Sequence, residues 1–300
     1  LYGIYLVSLF FISTYPILFY ISASLWALHK AMYWPAFHAD FAKFGNSKAR
    51  GEEISSLKVL VGITSILGPT MGGFILIHYG FTLIFAVVVA LSFASLIPLL
   101  ITKEKFEPGI FSIKKMILGF FKYKYRKDII ANLSAGEDLI AQTVWPIFLF
   151  GLLSNYQDVG VITTIALFIA FIVILIMGKL ANYPKKSRLI RVTSIAVSLS
   201  WLIRLFSFDW LSVFVSDTLY KASKRTLGVP IQALIYDRPI NRPLYYIIFR
   251  EIALSVSKTI TALLAFVIIV FTGHILLTFA LASIITLFSF YWKDKILETK

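Results

Sequence analysis

Long apolar runs separated by short polar segments extend along this whole sequence. The run 57–80, LKVLVGITSILGPTMGGFILIHYG, can cross a bilayer as one helix, since about 20 apolar residues at 1.5 Å each span the hydrocarbon core. Similar runs lie at 16–42, 82–101, 129–153, 161–181, 188–208, 211–235, 244–271 and 274–292, after a shorter stretch at 1–13. The pattern predicts an all-α, polytopic membrane helix bundle of about ten spans, the first of them partial.

The basic residues alternate with the apolar spans. Most of the 29 Lys and Arg fall in five clusters, at 43–58, 103–127, 179–191, 238–250 and 293–300, whereas every second turn has none. This alternation follows the positive-inside rule, so the clusters mark the cytoplasmic side and the C-terminus is predicted to be cytoplasmic. The formal charge of +14 therefore does not indicate a surface that binds nucleic acid. A multi-pass protein of the inner or plasma membrane is predicted.

Composition narrows the chemistry further. Hydrophobic residues make up 59% of the chain and charged residues 15%, which is not the balance of a soluble globular protein. There is no cysteine and the four histidines are scattered, so neither a disulfide nor a metal site is predicted, and no cofactor is expected. No secretory leader precedes the first span. A chain that begins with Leu1 is expected to be a piece of a longer protein.

Small residues interrupt the run 57–80. They are Gly62, Gly68, Pro69, Gly72 and Gly73. In a membrane helix, glycines allow a neighbouring backbone to approach closely, and adjacent helices can satisfy a carbonyl freed by proline. Two interpretations stay open: a tight helix-packing seam, or a kinked helix in a bundle that moves.

The chain divides into three predicted parts. The remainder of a first helical bundle covers 1–102, a basic segment covers 103–128, and a six-helix bundle covers 129–300. Apolar residues recur at helical spacing within 113–121, so the basic segment is predicted to carry an amphipathic helix on the cytoplasmic leaflet.

A weak internal repeat relates the first and third parts. Arg50 to Lys58 leads into an apolar helix, and Arg250 to Lys258 does the same with equal spacing. Each is preceded by a charged span that contains proline, with Lys30 and Pro35 in one and Arg225 and Pro230 in the other. Parallel repeats of this kind build one large class of transporters.

These motifs resemble the major facilitator superfamily. GPTMGG is similar to the glycine-proline motif of that family's fifth helix, and GKLAN at 178–182 is similar to its cytoplasmic loop motif, with Asn182 where Asp is usual. The basic segment matches the family's linker between two six-helix halves. On this alignment residue 1 lies in helix three, so the chain would hold helices 3–12 of a twelve-helix fold, without the first two.

The resemblance implies a secondary active transporter that moves a small solute by alternating access, with protons as the candidate coupling ion. The family's cavity is lined mainly by helices one, four, seven and ten, here 16–42, 129–153 and 211–235 for the last three. Those spans carry most of the intramembrane charge, and ionisable groups in lipid are expected to face a wet interior. A monomer is expected.

The predicted cavity residues lie in these three spans. They are Lys30, Trp34, Glu137, Asp138, Gln142, Trp145, Asp217, Lys221 and Arg225. Asp138, Gln142 and Trp145 would share a helix face, and an acidic group there could exchange protons. The alternative is a structural ion pair of Glu137 or Asp138 with Lys221 or Arg225. Asp217 could instead pair locally with Lys221. A cationic wall on helix ten favours an anionic substrate or charge compensation for Glu137 and Asp138.

On helix four, Trp26, Lys30, Trp34 and His38 lie along one stripe, which suits stacking of a flat substrate or ordinary packing. A cytoplasmic gate is predicted, with a structural clamp as its alternative. It would combine charged pairs at two helix starts, Arg50 with Glu52 or Glu53 and Arg250 with Glu251, with Lys179, Asn182 and Arg188 of the loop motif.

Two other functions are compatible with a membrane bundle of this kind. One is a non-transporting membrane scaffold or degenerate relative. The other is a membrane-embedded enzyme, which would need a convergent nucleophile and base, and none stands at a recognisable spacing. The sequence therefore favours a transporter that is not an enzyme, and it leaves the substrate, the coupling ion and the direction of transport open.

Overall fold

The computed structural model describes residues 1–44, 50–101, 126–178, 186–236 and 243–293, and these residues form helices and contain no strand. The first half of the chain contains α1 (Tyr2–Phe10), α2 (Leu18–Phe44), α3 (Arg50–Ala94) and α4 (Leu96–Ile101). The second half opens with a broken rod whose pieces are α5 (Arg126–Leu133), a 3₁₀ turn (Ser134–Gly136), α6 (Glu137–Leu139), a π turn (Ile140–Val144) and α7 (Trp145–Leu153). It continues with α8 (Tyr156–Gly178), α9 (Lys186–Arg204), α10 (Trp210–Tyr236), α11 (Pro243–Thr272), α12 (Leu277–Thr286) and a 3₁₀ turn (Leu287–Tyr291).

Two glycines make the sharp reversals that side chains would resist. Gly80 divides α3 with φ 71° and ψ −177°, and Gly273 follows α11 with φ 70°. Both lie in the left-handed region, which glycine enters without a Cβ penalty. Once α3 is divided at Gly80, the described residues form ten rods, and the prediction of an all-α membrane bundle is confirmed. The predicted start of one rod at residue 57 is wrong, because α3 already begins at Arg50.

Three described segments are long and apolar enough to cross a membrane by length and composition alone. They are Leu60–Ile101, Tyr156–Val173 and Ile248–Thr272, and the first contains two rods joined at Gly80. The segment Leu277–Tyr291 is apolar but shorter. Other rods are not long and apolar enough without interruption, because breaks or buried polar side chains divide their apolar stretches, as in α10. Such helices can lie in a membrane when their polar groups face protein.

The two halves meet along two helix pairs. α8 packs against α3, and α11 packs against α2. Within the second half, α10 packs against both α8 and α9, while α9 also contacts α12. Hydroxyl pairs join α9 to the final rod: Ser198 to Ser283 at 2.8 Å, and Ser194 to Ser289. In lipid, small polar contacts of this kind help to hold helices together.

The seam between α3 and α8 is built on glycine. A Cβ on Gly73 would lie 2.8 Å from the carbonyl oxygen of Tyr156, and one on Gly160 would lie 2.7 Å from that of Pro69. Thr70 donates to the hydroxyl of Thr164 at 2.7 Å beside these contacts. The two backbones therefore approach closer than any side chain would allow.

The other small residues of this stretch differ from one another. Gly62 lies against Phe171, where a Cβ would be 2.9 Å from the ring. Gly72 makes an ordinary contact with Ile84. The prediction that Gly68 packs in the seam is wrong, because a Cβ there would meet nothing within 4 Å. The helix continues through Pro69, and the non-helical torsions are at Gly80.

The apolar core lies in the second half. Its large buried side chains include Trp145, Trp201 and Phe279, whereas Leu6 is the buried apolar residue among the described side chains of 1–101. Most other apolar side chains of the first half are exposed, as lipid-facing residues are. The predicted amphipathic helix of the basic segment falls on residues 102–125, outside the described part of the chain.

Candidate functional site

Gly136 sets the position of the site. The absence of a side chain at Gly136 allows α11 to pack closely against the broken rod. A Cβ at this position would lie 2.1 Å from the Thr261 hydroxyl oxygen and 2.9 Å from that of Ser257. Ser257 also donates to the carbonyl of Leu133 at 2.6 Å. This close approach covers the broken rod and leaves Glu137 with no exposed surface.

Glu137 is held by three donors from two other helices. Its Oε2 accepts hydrogen bonds from the indole Nε1 of Trp201 at 2.8 Å and from the hydroxyl of Tyr220 at 2.9 Å. Its Oε1 forms an ion pair with the ammonium of Lys224. A fully buried carboxylate needs such compensation, because burial of an unpaired charge is very unfavourable.

Lys224 also binds Asp138, so one ammonium bridges two consecutive carboxylates. Its Nζ lies 2.7 Å from Oδ1 of Asp138. The side chains of Lys224 and Asp138 are 29% and 28% exposed, and that of Glu137 is 0% exposed. The three groups therefore lead from a partly open surface into the core.

Asp217 forms a second buried centre. Its Oδ1 accepts from Arg204 at 2.7 Å and from the indole of Trp145 at 3.0 Å, while Oδ2 binds Lys221. The pair of Asp217 with Lys221 is the i, i+4 pair that the sequence offered. Asp217 is thereby fixed by groups from the broken rod, α9 and α10.

Arg204 lies in an aromatic cage. Its guanidinium carbon is 3.9 Å from the ring centre of Trp145, 4.4 Å from that of Trp201 and 3.8 Å from that of Tyr220. Its Nε and Nη1 are buried without a hydrogen-bond partner, so the rings and Asp217 together compensate the charge. Trp201 and Tyr220 also bind Glu137, which joins the two centres into one network.

The structure alters the predicted face of the broken rod. Trp145 is buried, whereas Gln142 is exposed. The predicted face shared by Asp138, Gln142 and Trp145 is therefore wrong, because the π turn Ile140–Val144 widens the helix between them. The predicted pairing of Glu137 or Asp138 with Lys221 or Arg225 is also wrong, since Lys224 takes that place.

Lys30 and Trp34 lie apart from this network, on α2. The ammonium of Lys30 is 4.5 Å from the ring centre of Trp26 and 5.5 Å from that of Trp34. Lys258 on α11 is close enough to act on Lys30 as a like charge. Arg225 on α10 is partly buried, and no ion pair holds it within the described part of the chain.

The predicted gate residues are spread over several elements. Arg250 pairs with Glu251, its neighbour on α11, at 3.1 Å, and Arg188 is exposed. Arg250 lies inside α11, which begins at Pro243, so its predicted position at a helix start is wrong. The side chains of Arg50 and Glu52, and all of Lys179 and Asn182, fall outside the described residues.

Four residues of the network were absent from the predicted site: Trp201, Arg204, Tyr220 and Lys224. A charged residue within an apolar span indicates a functional site, and Arg204 is such a residue. It was not predicted because it ends α9, and arginines at helix ends ordinarily extend to the membrane surface.

The described residues contain no group of three or more His, Asp or Glu side chains that could hold a metal ion. A separate groove is lined by Tyr20, Ile21, Ser24, Leu25 and Leu28 on α2. Its lining residues include no Asp, Glu, Lys, Arg or His, so it does not compete with the charged network as a site.

A family model described as the Major Facilitator Superfamily matches residues 1–219. The match spans α1 to the first part of α10, and it ends just before Lys221. No curated protein sequence matches the chain.

Proposed function

The chain belongs to the major facilitator superfamily, whose members are membrane transporters, and we propose that it is a secondary active transporter of a small solute. The two halves would alternate access around a central cavity, in a monomer in the cell membrane, with the basic clusters and the C-terminus in the cytoplasm. Protons would be the coupling ion, taken up at the carboxylates bridged by Lys224.

The graded exposure of the bridged carboxylates carries this proposal. Asp138 and Lys224 reach a partly open surface, whereas Glu137 lies in the core. Ionisable groups within a membrane span are unfavourable unless they are paired or serve a pathway. Asp138, at the edge of the buried network, is the acid that a proton from cavity water would reach first.

The coupling step is the neutralisation of one carboxylate. A proton that binds Oδ1 of Asp138 removes the negative charge 2.7 Å from Lys224. The ammonium is then held by Glu137 alone, on the core side. Release of the proton restores the bridge. Since Lys224 lies on α10 and both acids lie on the broken rod, each cycle changes how strongly these two elements attract each other.

A non-transporting scaffold is the second candidate, and one observation favours it. Both buried carboxylates, Glu137 and Asp217, are each bound by three donors from neighbouring groups. A saturated network of this kind serves to hold helices in place. The two candidates differ in whether the halves move.

Distance measurements test the movement without knowledge of the solute. The chain has no cysteine, so spin labels can be attached to introduced cysteine pairs without first removing native cysteines. Tyr79→Cys with Phe271→Cys reports one end of the bundle, and Ile101→Cys with Lys293→Cys reports the other. Alternating access predicts two distance populations for each pair. A change of pH that favours the longer distance at one end should favour the shorter distance at the other. A single, pH-independent distance at both ends would favour the scaffold.

Proton movement tests the coupling site. The protein is reconstituted in vesicles that contain a pH-sensitive dye, and glucose, glutamate, benzoate or choline is added outside. Proton flux driven by at least one solute is expected. Asp138→Asn should reduce it at least tenfold, whereas Asp158→Asn at the start of α8 should not, because Asp158 lies outside the network. Unchanged flux in Asp138→Asn would refute coupling through this group.

A further inference from the structure

Seven described cations within the helices differ in how they are paired. Arg204, Lys221, Lys224 and Arg250 each form an ion pair with a carboxylate. Lys30, Arg225 and Lys258 form none among the described residues, although each is partly buried. Unpaired cations are unfavourable in a membrane span. Lys30 and Arg225 have no carboxylate partner among the described residues, and the carboxylate near Lys258 is that of Glu251, which pairs with Arg250.

The unpaired cations occupy related positions in the two halves. Lys30 precedes Pro35 within α2 by five residues, and Arg225 precedes Pro230 within α10 by the same five. Lys258 closes the second copy of the Arg-to-Lys spacing that relates 50–58 to 250–258. The repeat therefore presents an unpaired cation from an equivalent helix of each half.

Lys30 and Lys258 lie near each other across the contact between α2 and α11. The charged neighbours of Lys258 on its own helix are Arg250 and Glu251, and Glu251 is already paired with Arg250. Two like charges remain at a boundary between the halves. A solute anion placed between them would remove their repulsion.

Aromatic side chains surround Lys30. Trp26 and Trp34 lie under its ammonium, and they are 37% and 36% exposed. Tyr33 is 45% exposed beside Trp34, with ring centres 5.4 Å apart. Exposed ring faces next to a cation suit a flat, unsaturated group that carries a negative charge.

We propose that the solute is a small aromatic carboxylate, whose anionic group lies between Lys30 and Lys258 and whose ring stacks on Trp26 or Trp34. This rests on the proposed transport function, and it names the substrate class. Arg225 supplies the equivalent cation from α10. The paired ions Lys221 and Lys224 hold the network together and do not contact the solute.

Binding to the purified protein tests the substrate class. Benzoate, cinnamate and indole-3-acetate are each compared with the matching neutral amide in a neutral detergent, by thermal unfolding and by tryptophan fluorescence. At 10 mM, at least one carboxylate should raise the Tm by about 3 °C or more, whereas its amide should leave it unchanged. Acetate, which has no ring, should have a smaller effect than the aromatic anions.

Variants locate the site. Lys30→Gln and Lys258→Gln should each weaken binding at least tenfold. Lys293→Gln removes the same charge after the last rod and should bind as the unaltered protein does. Trp26→Leu should weaken the aromatic carboxylates more than it weakens acetate. Because each variant keeps the ion pairs of the buried network, a normal Tm without ligand shows that it is folded.

Three outcomes would overturn the proposal. The first is that none of the three carboxylates stabilises the protein, or that the amides do so equally. The second is that Lys30→Gln and Lys258→Gln bind normally. The third is that stabilisation dependent on both lysines appears with phosphatidylglycerol micelles only, which would assign the cations to a lipid headgroup. Transport of glucose or choline in the vesicle assay would keep the proposed function and refute this substrate class. Carboxylate binding by a protein whose halves do not move would keep the aromatic-carboxylate site and refute the proposed transport function.

Discussion

Arg204 and Lys30 each lie over the faces of indole rings, one in the second half of the chain and one in the first. Arg204 has no exposed surface, and Asp217 pairs with it at 2.7 Å. Lys30 is partly exposed, its rings are exposed too, and no carboxylate pairs with it among the described residues. The same cation–aromatic contact therefore occurs in two settings. In the core, Arg204 is buried and paired with Asp217, whereas Lys30 has no carboxylate partner among the described residues, and there we propose that the solute binds.

The largest difference is expected when each charge is removed. Arg204→Met leaves Asp217 buried with less compensation, and the free energy of unfolding should fall by about 3–5 kcal/mol. Lys30→Met should change it by about 0.5 kcal/mol or less. Chemical unfolding in detergent measures both. Arg204→Met combined with Asp217→Leu should recover most of the loss, and equal losses in the two single variants would contradict the comparison.

Exchanging the cations should give a smaller difference. Arg204→Lys replaces a planar fork that contacts Asp217 and three rings with a compact ammonium, and should lower the free energy of unfolding by about 2 kcal/mol. Lys30→Arg keeps a cation on exposed rings and should have little effect. Tm values of the two proteins provide the measurement. A stable Arg204→Lys would mean that the cage recognises charge alone.

Replacing one indole ring in each region should give a still smaller difference in the free energy of unfolding. Trp201→Phe keeps the aromatic face but removes the donor 2.8 Å from Glu137, and should cost about 1.5 kcal/mol. Trp26→Phe is the matched change in the first half and should be nearly neutral, since the role of Trp26 there is to provide a ring face. Unfolding midpoints of both variants decide between these expectations.

The smallest effect concerns an acid outside both sites. Ser212 donates its backbone N–H to Asp209 at 2.8 Å, and its oxygen accepts from the backbone N–H of Asp209 at 3.0 Å, which caps the start of α10. Hydrogen bonds from the hydroxyl and then the backbone of Ser212 lower the pKa of Asp209. A lowered folded-state pKa contributes stability above the unfolded-state pKa, and this is lost as the pH falls.

Ser212→Ala should therefore bring the acid-induced loss of stability to a slightly higher pH. Unfolding midpoints followed from about pH 5 to pH 3 measure the change. The loss should be the same with Lys30→Met added, because Lys30 is on another helix. A change in the pH profile that depends on Lys30 would show that the two regions are coupled.

Hydrophobic runs were sufficient to predict the rods, because a membrane span needs a nearly fixed number of apolar residues. The pairing of Asp217 with Lys221 also followed from helical spacing alone. The π turn Ile140–Val144 was not predicted, because an apolar run predicts a helix without showing where one turn takes an extra residue. Its wider turn displaced the predicted face and, with it, the position of Trp145.

The sequence could not decide which cation of α10 pairs with Glu137. Lys221, Lys224 and Arg225 are near neighbours on α10, and a small rotation of that helix selects which one meets Glu137. Packing of α10 against α8 and α9 fixes the rotation, and on α9 the contacts are made by Trp201 and Arg204. Arg204 itself was ambiguous because a basic residue at the end of a span usually reaches the membrane surface.

The contact between α3 and α8 has a mechanical consequence. At Gly73 and Gly160 the halves touch through main-chain atoms, which have no rotamers to rearrange. Beside the two glycines, the hydroxyl pair of Thr70 and Thr164 is the side-chain contact that rolling one helix over the other would have to break. If the halves move as proposed, this line of main-chain contact would serve as their axis. A methyl group added at Gly73 or Gly160 would then clash with the carbonyl oxygen of Tyr156 or Pro69 and hinder the movement.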